Sequence, residues 1–338
     1  MEESKYELEV ISPLIMKGAE KYELRAPSLK GVMRFWFRAM MGCLVSDTKA
    51  LYEIESSIFG GQDKKSDVTI KIENQNLTIV KDLQFYKKYP YLLFAYREKQ
   101  KELENCIKEN SSFTVSVYTK DKVQQDIVKA AFELISLFGG FGERTRRGFG
   151  SVMLKGFTID DENDFVEKFG SIYKKLNEYL KNHPELKSTR ENYDKRDFST
   201  FCGGKFCFIK ENNGNLLDSN NFVLGLIEEK WKTFRTQRQH VAEKIYLGLP
   251  ISSRHHPYAH SGERRASPIL FKVLKLQDKN YALVITYLPA STFLTRVLSS
   301  KEKEDMENII GEFFKGIGCG TKELCNLINL WSKEVADE

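Results

Sequence analysis

The 338-residue chain has no C-x-x-C pair, no Gly-x-Gly-x-x-Gly, and no P-loop glycine followed by Lys-Ser or Lys-Thr. The first absence argues against a zinc site or a disulfide frame. The six cysteines (Cys43, Cys106, Cys202, Cys207, Cys319, Cys325) read as separate reduced thiols. The other two absences remove the common dinucleotide and Walker-type ATP sites. No apolar run is long enough to span a bilayer, and the opening Met1-Glu2-Glu3-Ser4-Lys5 is acidic and polar, unlike a signal peptide. Histidine is scarce, and no Asp/His pattern shows metal spacing. These absences lead to the expectation of a cytoplasmic protein with no metal, no other cofactor and no membrane partner.

Hydrophobic residues make up 41% of the chain and aromatics 12%, enough for packed cores and too much for a disordered chain. The length exceeds one typical core, so two domains are expected. A net charge of +5 is modest, but it is unevenly placed. Residues 230–265 hold eight Lys or Arg against two acids, and no acid falls between Glu23 and Asp47, where Arg25, Lys30, Arg34 and Arg38 lie. Local clustering of this kind is the electrostatic footprint of a nucleic-acid binder. It is also what a solvated face looks like, so charge alone does not decide.

The most informative segment runs from Gly139 to Gly150. It holds Gly140-x-Gly142, five residues, then Gly148-x-Gly150, with Arg144, Arg146 and Arg147 between the pairs. Glycines let backbone N–H groups approach another surface, and arginines fork onto phosphate oxygens. The segment follows an apolar helix and precedes a strand, whereas nucleotide loops run from strand to helix. A helix cap and a tight turn would account for one or two of these glycines. The whole set points to a polyanion, above all RNA.

The order of elements reads as α+β, with a βαββαβ unit over residues 1–158: strands at Tyr6–Ile11, Asp67–Ile72, Phe113–Tyr118 and Ser151–Thr158, and helices from Ser28 as N-cap to about Leu44 and from Asp121 to Phe138. An insertion carrying Lys87-Lys88-Tyr89-Pro90-Tyr91 separates the two middle strands. A helical connector and polar linker fill 159–197. A degenerate second unit, 198–338, has strands at Lys205–Ile209, Ile269–Leu274 and Tyr281–Leu288, and a helix opened by the capping box Ser299-x-x-Glu302. The second unit's own glycine run, Gly316-Ile317-Gly318-Cys319-Gly320, has no arginines, and Thr321–Trp331 looks helical where a last strand belongs. Both units read as ferredoxin-like (RRM-like), the second with a long basic insertion, Thr236–Ala266. The apolar stripe Leu324, Leu327, Ile328 and Trp331 reads as core rather than as a subunit contact.

Lys30, Arg34 and Arg38 are four residues apart and share one face of the first helix, with Gly31 beside them. A helix start with a lysine and a close-approach glycine suits a phosphate. The basic insertion adds Arg235, Arg238, Arg254, Arg264 and Arg265, together with His240, His255, His256 and His260. Those histidines raise the alternative of a metal-independent endoribonuclease, which would need a base, an acid and charge stabilisation in mutual reach. A protein-only assembly adaptor is the third reading.

Three stretches, Pro27-Ser28-Leu29-Lys30-Gly31-Val32-Met33-Arg34-Phe35-Trp36-Phe37-Arg38, Ser57-Ile58-Phe59-Gly60-Gly61 and Gly142–Gly150, resemble the RAMP superfamily of CRISPR RNA-binding proteins, and within it the first-named RAMP subunit of the type III-B (Cmr) effector complex. The resemblance is strong over 1–158 and weaker beyond, where it rests on Leu247-Gly248-Leu249-Pro250-Ile251 and Arg264–Ile269. It implies two ferredoxin-like domains and a non-catalytic subunit near the 3′ region of the CRISPR RNA that helps capture single-stranded target RNA. Its partners would be CRISPR RNA or target RNA and other RAMP subunits. The contacts it implies are Lys30, Gly31, Arg34, Arg38 and the loop Gly140, Gly142, Arg144, Arg146, Arg147, Gly148 and Gly150.

Overall fold

The computed structural model describes residues 2–18, 22–45, 48–80, 85–98, 103, 106–181, 198–237, 246–248, 266–289, 292–293, 296–297 and 299–337. Two four-stranded antiparallel sheets organise them. The first is built from β1 (Glu2–Val10), β2 (Thr69–Asn76), β3 (Ser112–Thr119) and β4 (Val152–Leu154), in the order β2-β3-β1-β4. Helices α1 (Ala26–Met41) and α2 (Thr48–Phe59) lie between β1 and β2, and α3 (Lys122–Phe138) between β3 and β4. A connecting helix α4 (Glu162–Lys181) follows. The second sheet repeats the order, β6-β7-β5-β8, from β5 (Lys205–Ile209), β6 (Ile269–Lys275), β7 (Tyr281–Tyr287) and β8 (Lys322–Glu323). Here α5 (Asn220–Gln237) and α6 (Ser300–Ile317) are the crossovers, and α7 (Leu324–Asp337) closes the chain.

Local chemistry sets the boundaries. Asp121 caps α3 by accepting from the Gln124 N–H at 2.9 Å, and α6 opens with the reciprocal Ser299/Glu302 box. The first helix starts earlier than its sequence indicated. Arg25 is its N-cap and Ser28 already lies in the first turn, its N–H bonded to the Arg25 carbonyl. Pro27 is the cause, because its fixed φ suits the first helical turn. The strand expected over Ser151–Thr158 shrinks to Val152–Leu154, since it pairs only with the end of β1. The last strand, expected to be lost to a helix, survives as Lys322–Glu323 paired with β5, and α7 begins directly after it.

One apolar core runs through both halves. Leu29, Met33, Trp36, Phe37 and Met40 are buried at helical spacing on α1. Trp36 stacks on Phe138 and on Phe201, and Phe169 meets Trp331 edge-on, so α1, α3, α4 and α7 share one aromatic seam. Leu324, Ile328 and Trp331 are buried in it as the sequence indicated. The expectation of six separate thiols is corrected. The sulfurs of Cys43 and Cys202 meet, with Cα atoms 5.5 Å apart, while Cys106, Cys207, Cys319 and Cys325 are free. No helix among the described residues is long and apolar enough to cross a membrane.

β6 is buried along its length, reading Ile-Leu-Phe-Lys-Val-Leu-Lys. The lysine inside it, Lys272, donates to the carbonyls of Ile135 (3.1 Å), Gly139 (2.7 Å) and Val152 (2.7 Å). Burial pushes its pKa well down, yet three acceptors match the three protons of an ammonium, and the C-terminus of α3 favours a cation. Lys272 therefore bolts the second sheet to the start of the glycine loop.

Candidate nucleic-acid interface

The glycine loop is packed against its own chain. Phe141 donates to the Gly150 carbonyl, Glu143 to Ile15 and Gly150 to Pro13, while the Ser12 hydroxyl donates to the Gly148 carbonyl. A Cβ on Gly142 would lie 2.2 Å from the Ile15 carbonyl oxygen, and one on Gly150 would lie 2.0 Å from that of Phe141. Both residues also have positive φ. Their need for glycine thus comes from backbone meeting backbone within the protein. Arg144, between the two pairs, adopts φ 61° and lets the segment Thr145–Arg147 turn outward.

That turn carries the arginines into the second half of the molecule. Arg147 lies over the Trp231 ring at 4.5 Å and donates to the Ile269 carbonyl at 3.3 Å. Arg146 donates to the Ser267 carbonyl at 2.5 Å and lies over Phe35 at 5.3 Å. Arg235 approaches Trp231 from α5 at 5.6 Å. Burial, and then the like charges of Arg235, Arg144 and Arg146, hold Arg147 down at about 9; burial holds Arg146 at about 10. Both remain cationic at neutral pH. Among the described residues no carboxylate forms an ion pair with Arg146, Arg147 or Arg235. A half-buried cluster of like charges without a counter-ion is costly and is relieved by an anion.

The cations on α1 have a different environment. Arg34 and Arg38 both bind the buried Glu55 of α2, at 2.6 and 2.8 Å. Lys30 donates to the Ser66 hydroxyl and to the Val68 carbonyl at 2.7 Å, and burial lowers its pKa. Gly31 is exposed. Lys30, Arg34 and Arg38 do share one face, but each is engaged within the protein. A cleft of about 240 Å³ lies between α1 and the loop, bringing Ser28, Gly31 and Phe35 together with Gly139, Gly140 and Arg146. The two segments that the sequence singled out therefore meet at one place. Arg238, Arg254, Arg264, Arg265 and the four histidines of the basic insertion lie outside the described residues.

Sequence reasoning missed three parts of this arrangement. Trp231 was not recognised as a platform for two arginines. Glu55 was not seen as the partner of Arg34 and Arg38, although an acid in a largely apolar helix face was a visible signal. Lys272 was equally visible as a lone cation in an apolar strand. The insertion at Tyr89–Leu92 also joins the halves: the Tyr89 hydroxyl donates to Asn221 at 2.8 Å, and the N–H groups of Tyr91 and Leu92 donate to Glu228.

The RAMP superfamily pattern matches residues 7–153, the span holding α1, the glycine loop and the first sheet. A relative in Pyrococcus furiosus, the CRISPR system Cmr subunit Cmr1-2, is 30% identical over 180 residues, covering 46% of this chain and 96% of the relative. The chain belongs to the RAMP superfamily. A second relative from the same organism, Cmr subunit Cmr1-1, is 27% identical over 296 residues, 82% of this chain and 83% of its own. Among solved structures the fold is similar to apo Cmr1 from Pyrococcus furiosus, with a TM-score of 0.65 at 20% identity, covering 96% of this chain and 99% of the other. It is also similar to a chain of the type III-B Cmr-beta complex bound to cognate target RNA, with a TM-score of 0.61 at 13% identity over 91% and 98%. As a RAMP protein, the chain shares with these structures a mixed α+β fold built on antiparallel sheets.

Proposed function

We propose that this chain is a non-catalytic RNA-binding subunit of a type III-B CRISPR effector complex, built from two ferredoxin-like units over 1–158 and 198–338 joined by 159–197. It would sit near the 3′ region of the CRISPR RNA beside other RAMP subunits and help to capture target RNA. The relatives named as Cmr subunits, and the similarity to a chain of an RNA-bound Cmr complex, support the assignment to that machinery. The observation that carries the binding reading is the group Arg146, Arg147 and Arg235, without carboxylate partners among the described residues, of which Arg146 lines the cleft between α1 and the glycine loop while Arg147 and Arg235 meet at the Trp231 ring.

Phosphate binds such a cluster with little reading of sequence, because backbone contacts position a strand without specifying it. Since Lys30, Arg34 and Arg38 already have internal partners, they would supply field rather than first contact. The test is binding of purified protein to labelled single-stranded RNA across a salt series, with cleavage scored in the same lanes without added metal. Intact RNA bound with a steep salt dependence is the expected result. Cut RNA would replace this reading with the endoribonuclease. Binding that ignores salt, or none, would leave a protein-only adaptor.

A further inference from the structure

The cleft beside Arg146 is not shaped for a phosphate alone. Its walls are largely apolar and aromatic: Val32, Phe35 and Trp36 from α1, Phe138 from α3 and Leu270 from β6, opposite the bare backbone of Gly139 and Gly140. At about 240 Å³ it falls below the range of about 300–1,000 Å³ that holds drug-sized ligands, which leaves room for one planar ring system. The Trp36 indole N–H borders it beside Gly139 and has no acceptor among the described residues.

Resting on the RNA-binding reading above, we infer that this cleft receives a single unstacked nucleobase of the bound strand. The base lies against Phe35 and the Gly139–Gly140 backbone, Trp36 donates a hydrogen bond to a base acceptor, and Arg146 at the rim takes the adjoining phosphate. The division of labour follows from the chemistry present. A largely apolar slot bordered by the Trp36 indole N–H suits a flat heteroaromatic ring, and among the described residues the charge lining it is Arg146, which suits the backbone attached to that ring. At Gly139 a side chain would close on the slot, since its Cβ would meet the Trp36 indole nitrogen at 2.3 Å, whereas one on Gly140 would meet the Gly150 carbonyl oxygen instead. An apolar side chain from a partner protein would fill the slot equally well but would leave Arg146 without an anion.

The experiment compares full-length protein binding to a single-stranded RNA and to a chain of equal length lacking its bases, both across a salt series. The baseless chain is expected to bind on the order of 10-fold more weakly with the same salt slope, as loss of one stacked base requires. Phe35→Ala should weaken binding to normal RNA by a similar factor and hardly affect the baseless chain, so the two losses do not add. Equal affinity for both chains, with a steep slope, would overturn the base slot while leaving a phosphate grip intact. Failure of both chains to bind would remove the RNA-binding reading and the slot together.

Discussion

Two glycine loops occupy the same place in the two halves of this molecule, each after the second crossover helix and before the last strand, and they behave in opposite ways. In the first, backbone meets backbone so closely that Gly142 and Gly150 have no room for a methyl group, and the arginines between the glycine pairs cross into the other half. In the second, Gly316, Gly318 and Gly320 face open space, and Gly318 simply caps α6 with φ 75°. A cleft of about 660 Å³ beside the second loop has its lysines partnered, Lys322 with Glu162 at 3.3 Å and Lys210 with Asp278 at 3.2 Å. The same run of glycines thus serves a clamp in one half and an ordinary helix end in the other. What separates them is that the first loop is packed against the protein's own carbonyls and carries arginines without carboxylate partners among the described residues, whereas the second has no cation between its glycines and open space around them.

The largest test of that contrast is a pair of glycine substitutions. Gly150→Ala, with φ +63° and its Cβ 2.0 Å from a carbonyl oxygen, should cost on the order of 4 kcal/mol in chemical denaturation. Gly316→Ala, in the last turn of α6 with nothing nearby, should stabilise by roughly 0.5–1 kcal/mol in the same assay. Equal effects would dissolve the distinction. Next in size is Lys272→Met, which keeps the bulk but removes the donor to the Gly139 and Val152 carbonyls and leaves the Ile135 carbonyl only its bond from the Gly139 N–H, all at the base of the first loop. A loss of about 3 kcal/mol is expected in denaturant melts.

Smaller, and dependent on pH, is the contribution of Tyr89, which packs edge-on against Phe149 of the first loop and donates to Asn221. Burial raises its pKa to about 12, against 10 for an unfolded tyrosine. Because the folded state holds the proton more tightly, this contribution is complete below pH 10 and is lost between about 10 and 12. Tyr89→Phe should cost about 1 kcal/mol at neutral pH and flatten the alkaline decline in melting temperature over that window.

Much of the fold was legible because its signals are local. Asp121, the Ser299/Glu302 box and the alternation in Phe113–Tyr118 each fix an element without reference to distant residues. The two-residue strand Lys322–Glu323 was not legible, since only pairing with β5 makes it a strand. At the site, the two segments that the sequence singled out separately, α1 and the glycine loop, line one cleft. Sequence reasoning misread why the glycines are there, because a requirement for glycine looks the same whether the close neighbour is a ligand or the protein's own carbonyl. Nor could it tell the cations apart by their partners: Arg34 has the Glu55 carboxylate brought to it by α2, while Arg146 meets only a backbone carbonyl and an aromatic ring among the described residues, and the distant fold sets both.

The most direct measurement is the salt dependence of single-stranded RNA affinity for wild type and for Arg235→Gln, a residue whose ring contact at the periphery of the cluster leaves the loop's own hydrogen bonds intact. The account predicts a wild-type slope of several charges, reduced by about one in the variant, with unchanged melting behaviour. An identical slope in the two proteins would contradict it, because a cation without a carboxylate partner would then be contributing nothing to the grip.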